Sequence, residues 1–196
     1  MFVEITKLQK ELYSNENLVL FDARVFRQFE FDDDEESFRR NFYHRSIVNA
    51  FENGSVKNGA ILGGCKVLVP KLFKISGDKK ARWDKWYEDF QYKENCLMYT
   101  VPRVELDYEL AERLHEQGVD GGKLFSIQAA VTYGIPKLVV DSIELKTKEE
   151  GIKGIIKGID PYLGGKFSIE TVKEYCLSSG IVTKEQIANK PPGLRI

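Results

Sequence analysis

Two short apolar runs that each end on an aspartate constrain this chain more than any other feature. Asn17-Leu18-Val19-Leu20-Phe21-Asp22 is entered from a polar turn, and Lys137-Leu138-Val139-Val140-Asp141 follows a corner at Gly134 and Pro136. Short runs that are apolar at successive positions and contain β-branched residues suit parallel strands covered on both faces. Open parallel sheets bind ligands at the carboxyl ends of their strands. A carboxylate closing each run is therefore well placed for chemistry.

The second run closes a longer unit. Asp107 can cap a helix on which Leu110, Ala111 and Leu114 recur at helical spacing. Gly118-Val119-Asp120 ends that helix and begins the next, with Gly118 suited to the left-handed terminal position and Asp120 to the N-cap. Leu124, Phe125, Ile127, Gln128 and Val131 carry the second helix up to Gly134. Elsewhere, Lys66–Pro70 and Cys96–Val101 read as strands, and Asn53-Gly54 and Gly63-Gly64 as turns around a connecting stretch. Helical patterns fall at 3–13, 38–51, 78–90, 144–158 and 168–178, the last with Ser168 as N-cap, and a short helix starts near Thr183. Strands separated by helices imply βαβ units, hence an α/β fold with a central parallel sheet of about four strands.

Composition narrows the function classes. The chain has 196 residues, 42% of them apolar, enough for a real core. Its net charge of −1 excludes a generally basic nucleic-acid binder and leaves room only for a local basic face. Cys65, Cys96 and Cys176 are far apart and form no CxxC pair, which points to a reducing compartment and away from structural zinc. No run approaches the ~20 apolar residues that span a bilayer, and the N-terminus reads as a helix, so a cytoplasmic location without membrane contact is expected. No strand is followed by a glycine-rich phosphate loop, which disfavours a nucleotide-cofactor enzyme. His44 and His115 sit on charged helical faces with no partner visible, and read as surface residues. Trp83, Trp86 and Tyr87 could stack on bases, although packing against the sheet is the plainer use of them.

Taken in order, these pieces resemble the PIN domain, a family of metal-dependent ribonucleases that includes many toxins. The resemblance rests on Leu18-Val19-Leu20-Phe21-Asp22, Met98-Tyr99-Thr100-Val101, Glu109–Leu114, Asp120, Ala129-Ala130, Gly134 and Leu138-Val139-Val140-Asp141, within residues 18–145. It implies a PIN-like domain over 1–145, with 146–196 as a helical extension packed on the same domain. It further implies a Mg²⁺- or Mn²⁺-dependent endoribonuclease, with Asp22, Asp120 and Asp141 as catalytic metal ligands. The family's usual Glu at the helix entry after the third strand is absent, and Asp78 is the candidate to replace it as a ligand. Arg24, Arg39, Arg40, Lys79, Lys80 and Arg82 are the candidates to meet RNA phosphates. The missing Glu favours an alternative: a catalytically silent PIN-like module that binds RNA or a protein partner, whether an antitoxin-like protein, a complex subunit or a second copy of the chain.

Overall fold

Successive residues of a strand point to opposite faces of its sheet, and the first strand of this chain is apolar on both. Leu18 and Leu20 lie in one buried cluster, Val19 and Phe21 in another. The molecule is therefore a three-layer sandwich built on a sheet with two covered faces. The structure, a computed structural model, describes residues 18–32, 34–56, 58–62, 64–91, 98–101 and 106–188. The helix expected at 3–13 and Cys96 lie outside the described residues.

Among the described residues the sheet has five strands: β1 (Val19–Phe21), β2 (Gly59–Leu62), β3 (Met98–Val101), β4 (Lys137–Val140) and β5 (Ser168–Thr171). All pairings are parallel, in the order β3-β2-β1-β4-β5. On the Phe21 face lie the 3₁₀ helix Ala23–Glu30, α2 (Phe42–Glu52), α3 (Cys65–Leu72), α4 (Gly77–Gln91) and α10 (Val172–Ser178). The short α1 (Glu35–Arg40) precedes α2. On the Leu20 face lie α5 (Tyr108–Glu116), α6 (Gly122–Thr132), α7 (Ile143–Thr147), α8 (Glu149–Ile159) and α9 (Pro161–Lys166). A last helix, α11 (Lys184–Ala188), follows α10. The expected α/β fold with a helix-flanked parallel sheet is present, with one strand more than the sequence suggests.

Three elements differ from the sequence reading. Lys66–Pro70 is not a strand but part of α3, with Pro70 inside the helix. Proline removes the amide that would bond the carbonyl four residues earlier. Here the indole Nε1 of Trp83 donates to that carbonyl, Lys66 O, at 3.0 Å, so α4 repairs the gap that Pro70 leaves in α3. The strand next to β1 is instead Gly59–Leu62, within the stretch read as a connection. A Cβ on Gly59 would come within 2.5 Å of the Phe51 ring, so only glycine lets β2 pass so close to α2. Ser168 does not cap a helix: it begins β5, and Thr171 is the N-cap of α10, in a capping box with Glu174.

Most of the buried aromatic residues cluster on the Phe21 face. Phe21 meets Phe51 and Tyr175 edge-on at 5.1 and 5.2 Å between centroids. Trp83 and Trp86 stack at 5.5 Å, with Phe26 and Phe29 against both. Trp83, Trp86 and Tyr87 are all buried, so packing on the sheet is their role and base stacking is not.

Candidate functional site

β1 and β4 are neighbours, in register at Phe21 and Val139, and the Asp22 amide donates to Val139 O at 3.0 Å. Asp22 and Asp141 thus leave adjacent strands at the carboxyl edge of the sheet. From β1 the chain crosses to β2 over the Phe21 face, and from β4 to β5 over the Leu20 face. This is the topological switch point where doubly wound sheets open a crevice.

Asp22 is buried, at 5% exposure. Its Oδ1 accepts the Arg24 amide at 2.9 Å and so caps the 3₁₀ helix, with the Arg24 guanidinium 3.5 Å away. Its Oδ2 accepts the Ser126 hydroxyl of α6 at 2.6 Å. One carboxylate therefore joins the two helical layers across the end of β1. The Arg24 guanidinium lies over Gly122, where a Cβ would stand 3.4 Å from Nη1.

Asp141 has its own partners. His44 Nε2 of α2 lies 2.8 Å from Oδ1, and Arg27 Nη1 is 4.0 Å from Oδ2. A carboxylate only accepts, so this bond places a proton on Nε2. Arg27 also holds Glu30 at 3.2 Å. Beside the crevice, Lys123 and Lys148 both bind Glu144, at 2.9 and 2.8 Å. Their hydrogen bonds, Lys148 first, pull the Glu144 carboxyl down to about 2.

The other expected ligands do not join these two. Asp120 is not the N-cap of α6, a position taken by Gly121 at φ 58°. Its side chain is 68% exposed and 2.5 Å from His115 Nδ1. Asp78 lies in the first turn of α4, beside a surface concavity shared with Glu30, Asp32, Lys74 and Lys79, at the far end of the 3₁₀ helix from Asp22. Among the described residues, no three of His, Cys, Asp and Glu gather closely enough to hold a metal ion. Hard cations take six or more oxygen ligands, whereas Asp22 and Asp141 are already met by hydroxyl, amide, guanidinium and imidazole groups. The residues as arranged do not fit a resident Mg²⁺ or Mn²⁺.

The expected phosphate contacts also divide. Arg24 is at the crevice with its side chain 33% exposed. Arg39 and Arg40 are in α1, and their side chains lie outside the described residues. On α4, Lys79 bonds Glu30 O and Asp32, Lys80 pairs with Asp84, and Arg82 donates to Phe31 O at 2.7 Å. The α4 cations thus fasten their helix to the end of the 3₁₀ helix and to itself.

Both histidines, read as unpartnered, are bonded to aspartates. The missed site residues are His44, Arg27 and Ser126. Of these, only Arg27 carried a local signal, a cation three residues from Arg24 in the segment after β1. The chain matches no protein-family model and no solved structure. What the site offers is a pair of strand-end carboxylates, each complemented from within the chain, and two half-open guanidinium groups beside them.

Proposed function

We propose that the chain is a PIN-like module that binds a nucleic-acid strand, RNA by the family resemblance, across the switch-point crevice without cutting it. The observation that carries this reading is the state of the acids. Asp22 and Asp141 each have a cation of the chain beside them, so the crevice does not repel phosphates as a bare acidic cluster would. Arg24 and Arg27 stay open enough for planar, forked bonds to phosphate oxygens, the recognition to which guanidinium is best suited. Such contacts position a strand without reading its sequence.

One observation favours a second reading, Mg²⁺- or Mn²⁺-dependent RNA cleavage: two of the three expected ligands do leave adjacent strands side by side. A single assay separates the two. Fluorescein-labelled single-stranded RNA is titrated in EDTA and in Mn²⁺, followed by anisotropy and by gel. Binding that persists in EDTA, weakens steeply with salt, fails in Arg24→Ala/Arg27→Ala and leaves the RNA intact supports the binding module. Cleavage that needs Mn²⁺ and disappears in Asp22→Asn and Asp141→Asn establishes the nuclease instead. No binding under either condition overturns both.

A further inference from the structure

Asn53-Gly54, a turn signal in the sequence, closes α2 in the structure. The pair is chemically vulnerable, because a residue without a Cβ leaves its amide nitrogen open to the side chain before it. Asparagine is accordingly counted among the heat-labile residues. Asn53 is the C-cap of α2, at φ −91° and ψ 2°, and is exposed among the described residues. Gly54 follows at φ 75°, and its amide donates to Phe51 O at 3.2 Å. The Asn53 side chain is held from the other direction. Its Oδ1 accepts the Ser55 amide at 3.0 Å and the Ser55 hydroxyl at 2.6 Å. Behind them the Val56 amide donates to Ala50 O at 3.1 Å and pins the turn to the helix.

We propose that Asn53-Gly54 is a deamidation site, with water as its only co-reactant, and that the clasp of Ser55 on Asn53 Oδ1 sets its rate. The Gly54 nitrogen attacks Asn53 Cγ, and a new N–C bond closes a cyclic imide. The Cγ–Nδ2 bond breaks, and Nδ2 leaves as ammonia with the proton that the Gly54 nitrogen gives up. Water then opens the imide, its hydroxyl going to one carbonyl carbon and its proton to the nitrogen. The product is aspartate or isoaspartate, according to which imide bond is cut. The folded turn opposes the first step. At ψ 2° the Gly54 nitrogen eclipses the nitrogen of Asn53 itself, and the tetrahedral Cα holds it about 120° away from the side chain. Attack therefore requires a rotation at Asn53, release of the Phe51 carbonyl and release of Oδ1 from Ser55. The new carboxylate adds one negative charge to a chain whose net charge is −1, at the helix end where the dipole disfavours it. This inference is independent of any function of the crevice.

The test incubates the full chain in mildly alkaline buffer in four forms: folded wild type, wild type in concentrated urea, Ser55→Ala, and Ser55→Thr, which keeps the hydroxyl. Far-UV circular dichroism confirms that the variants fold. Peptide mass spectrometry with fragmentation follows the replacement of the amide by a carboxyl at position 53 and counts aspartate against isoaspartate. Folded wild type is expected to convert at Asn53, more slowly than the chain in urea. Ser55→Ala should convert about three- to tenfold faster than folded wild type, the effect of one lost hydrogen bond, and Ser55→Thr at the wild-type rate. A folded Ser55→Ala that converts at the wild-type rate or below it overturns the proposal. So does the absence of conversion at Asn53 in every folded form while the chain in urea converts. Should Ser55→Ala fail to fold, folded wild type is read against wild type in urea, and equal rates overturn the proposal.

Discussion

Replacing Asp22 tests whether its carboxylate serves stability or chemistry. In Asp22→Ala, the 3₁₀ helix loses its cap, worth about 1 kcal/mol. The Ser126 hydroxyl, buried at 1% exposure, loses a charged acceptor at 2.6 Å, worth about 1.5–3 kcal/mol. The Arg24 pair adds little, because that side chain is one-third exposed and screened by water. The expected loss is about 3 kcal/mol, which at an m-value near 3 kcal/mol/M lowers the urea midpoint by about 1 M. Asp22→Asn keeps an acceptor oxygen of the same shape and should lose about half as much. A cycle with Ser126→Ala should return a coupling of about 1–3 kcal/mol between the two residues. The refuting result is specific. Acids crowded for metal chemistry destabilise the fold that holds them, so a stability gain in Asp22→Asn would show that the carboxylate is kept for function and that the layer-joining role is wrong.

Three further outcomes follow from the structure. Glu144 titrates at about 2 in the folded chain against 4.5 as its ordinary value, so its contribution is present above about pH 4.5 and is lost as pH falls toward 2. Glu144→Gln should flatten the pH dependence of the unfolding midpoint in that window, with a slightly lower midpoint near neutrality, where the contribution is missing, and the wild-type midpoint near pH 2. On α8 and α9, Gly164→Ala would set a Cβ 2.4 Å from the Lys157 backbone and should cost more than about 2 kcal/mol. Gly154→Ala, in the interior of α8 with nothing within 4 Å, should raise stability by about 0.5–1 kcal/mol in the same melts.

What could be read from the sequence depended on how local the cause was. β1 and β4 were legible because strands buried on both faces must be apolar at every position, and the α5–α6 corner because Gly118 marks it directly, at φ 71°. α3 was misread because Val67, Leu68 and Val69 look like a strand, and Pro70 like its end. What makes the segment helical is tertiary: Val69 and Cys65 are buried one turn apart, and Trp83 supplies the bond that Pro70 cannot. β2 was missed because Gly59 and Ala60 give no apolar signal: Gly59 is bare so that Phe51 can pack against the strand, and Ala60 lies in the cluster on the opposite face. At the site, the two strand-end acids were visible but their partners were not. Ser126 is 104 residues from Asp22 and His44 is 97 from Asp141, and no local pattern encodes such meetings.

The 3₁₀ helix after β1 has one consequence for how the crevice can be observed. Its polar side carries Arg24 and Arg27 at the strand ends, and its apolar side sets Phe26 and Phe29 against the stacked indoles of Trp83 and Trp86. These are the only two tryptophans in the chain. Eight residues thus link the solvent-facing guanidinium groups to the protein's whole intrinsic indole emission. A ligand that shifts those arginines must also disturb the rings behind them. Occupancy of the crevice then becomes an optical signal, readable as a change in tryptophan fluorescence without a label on either molecule.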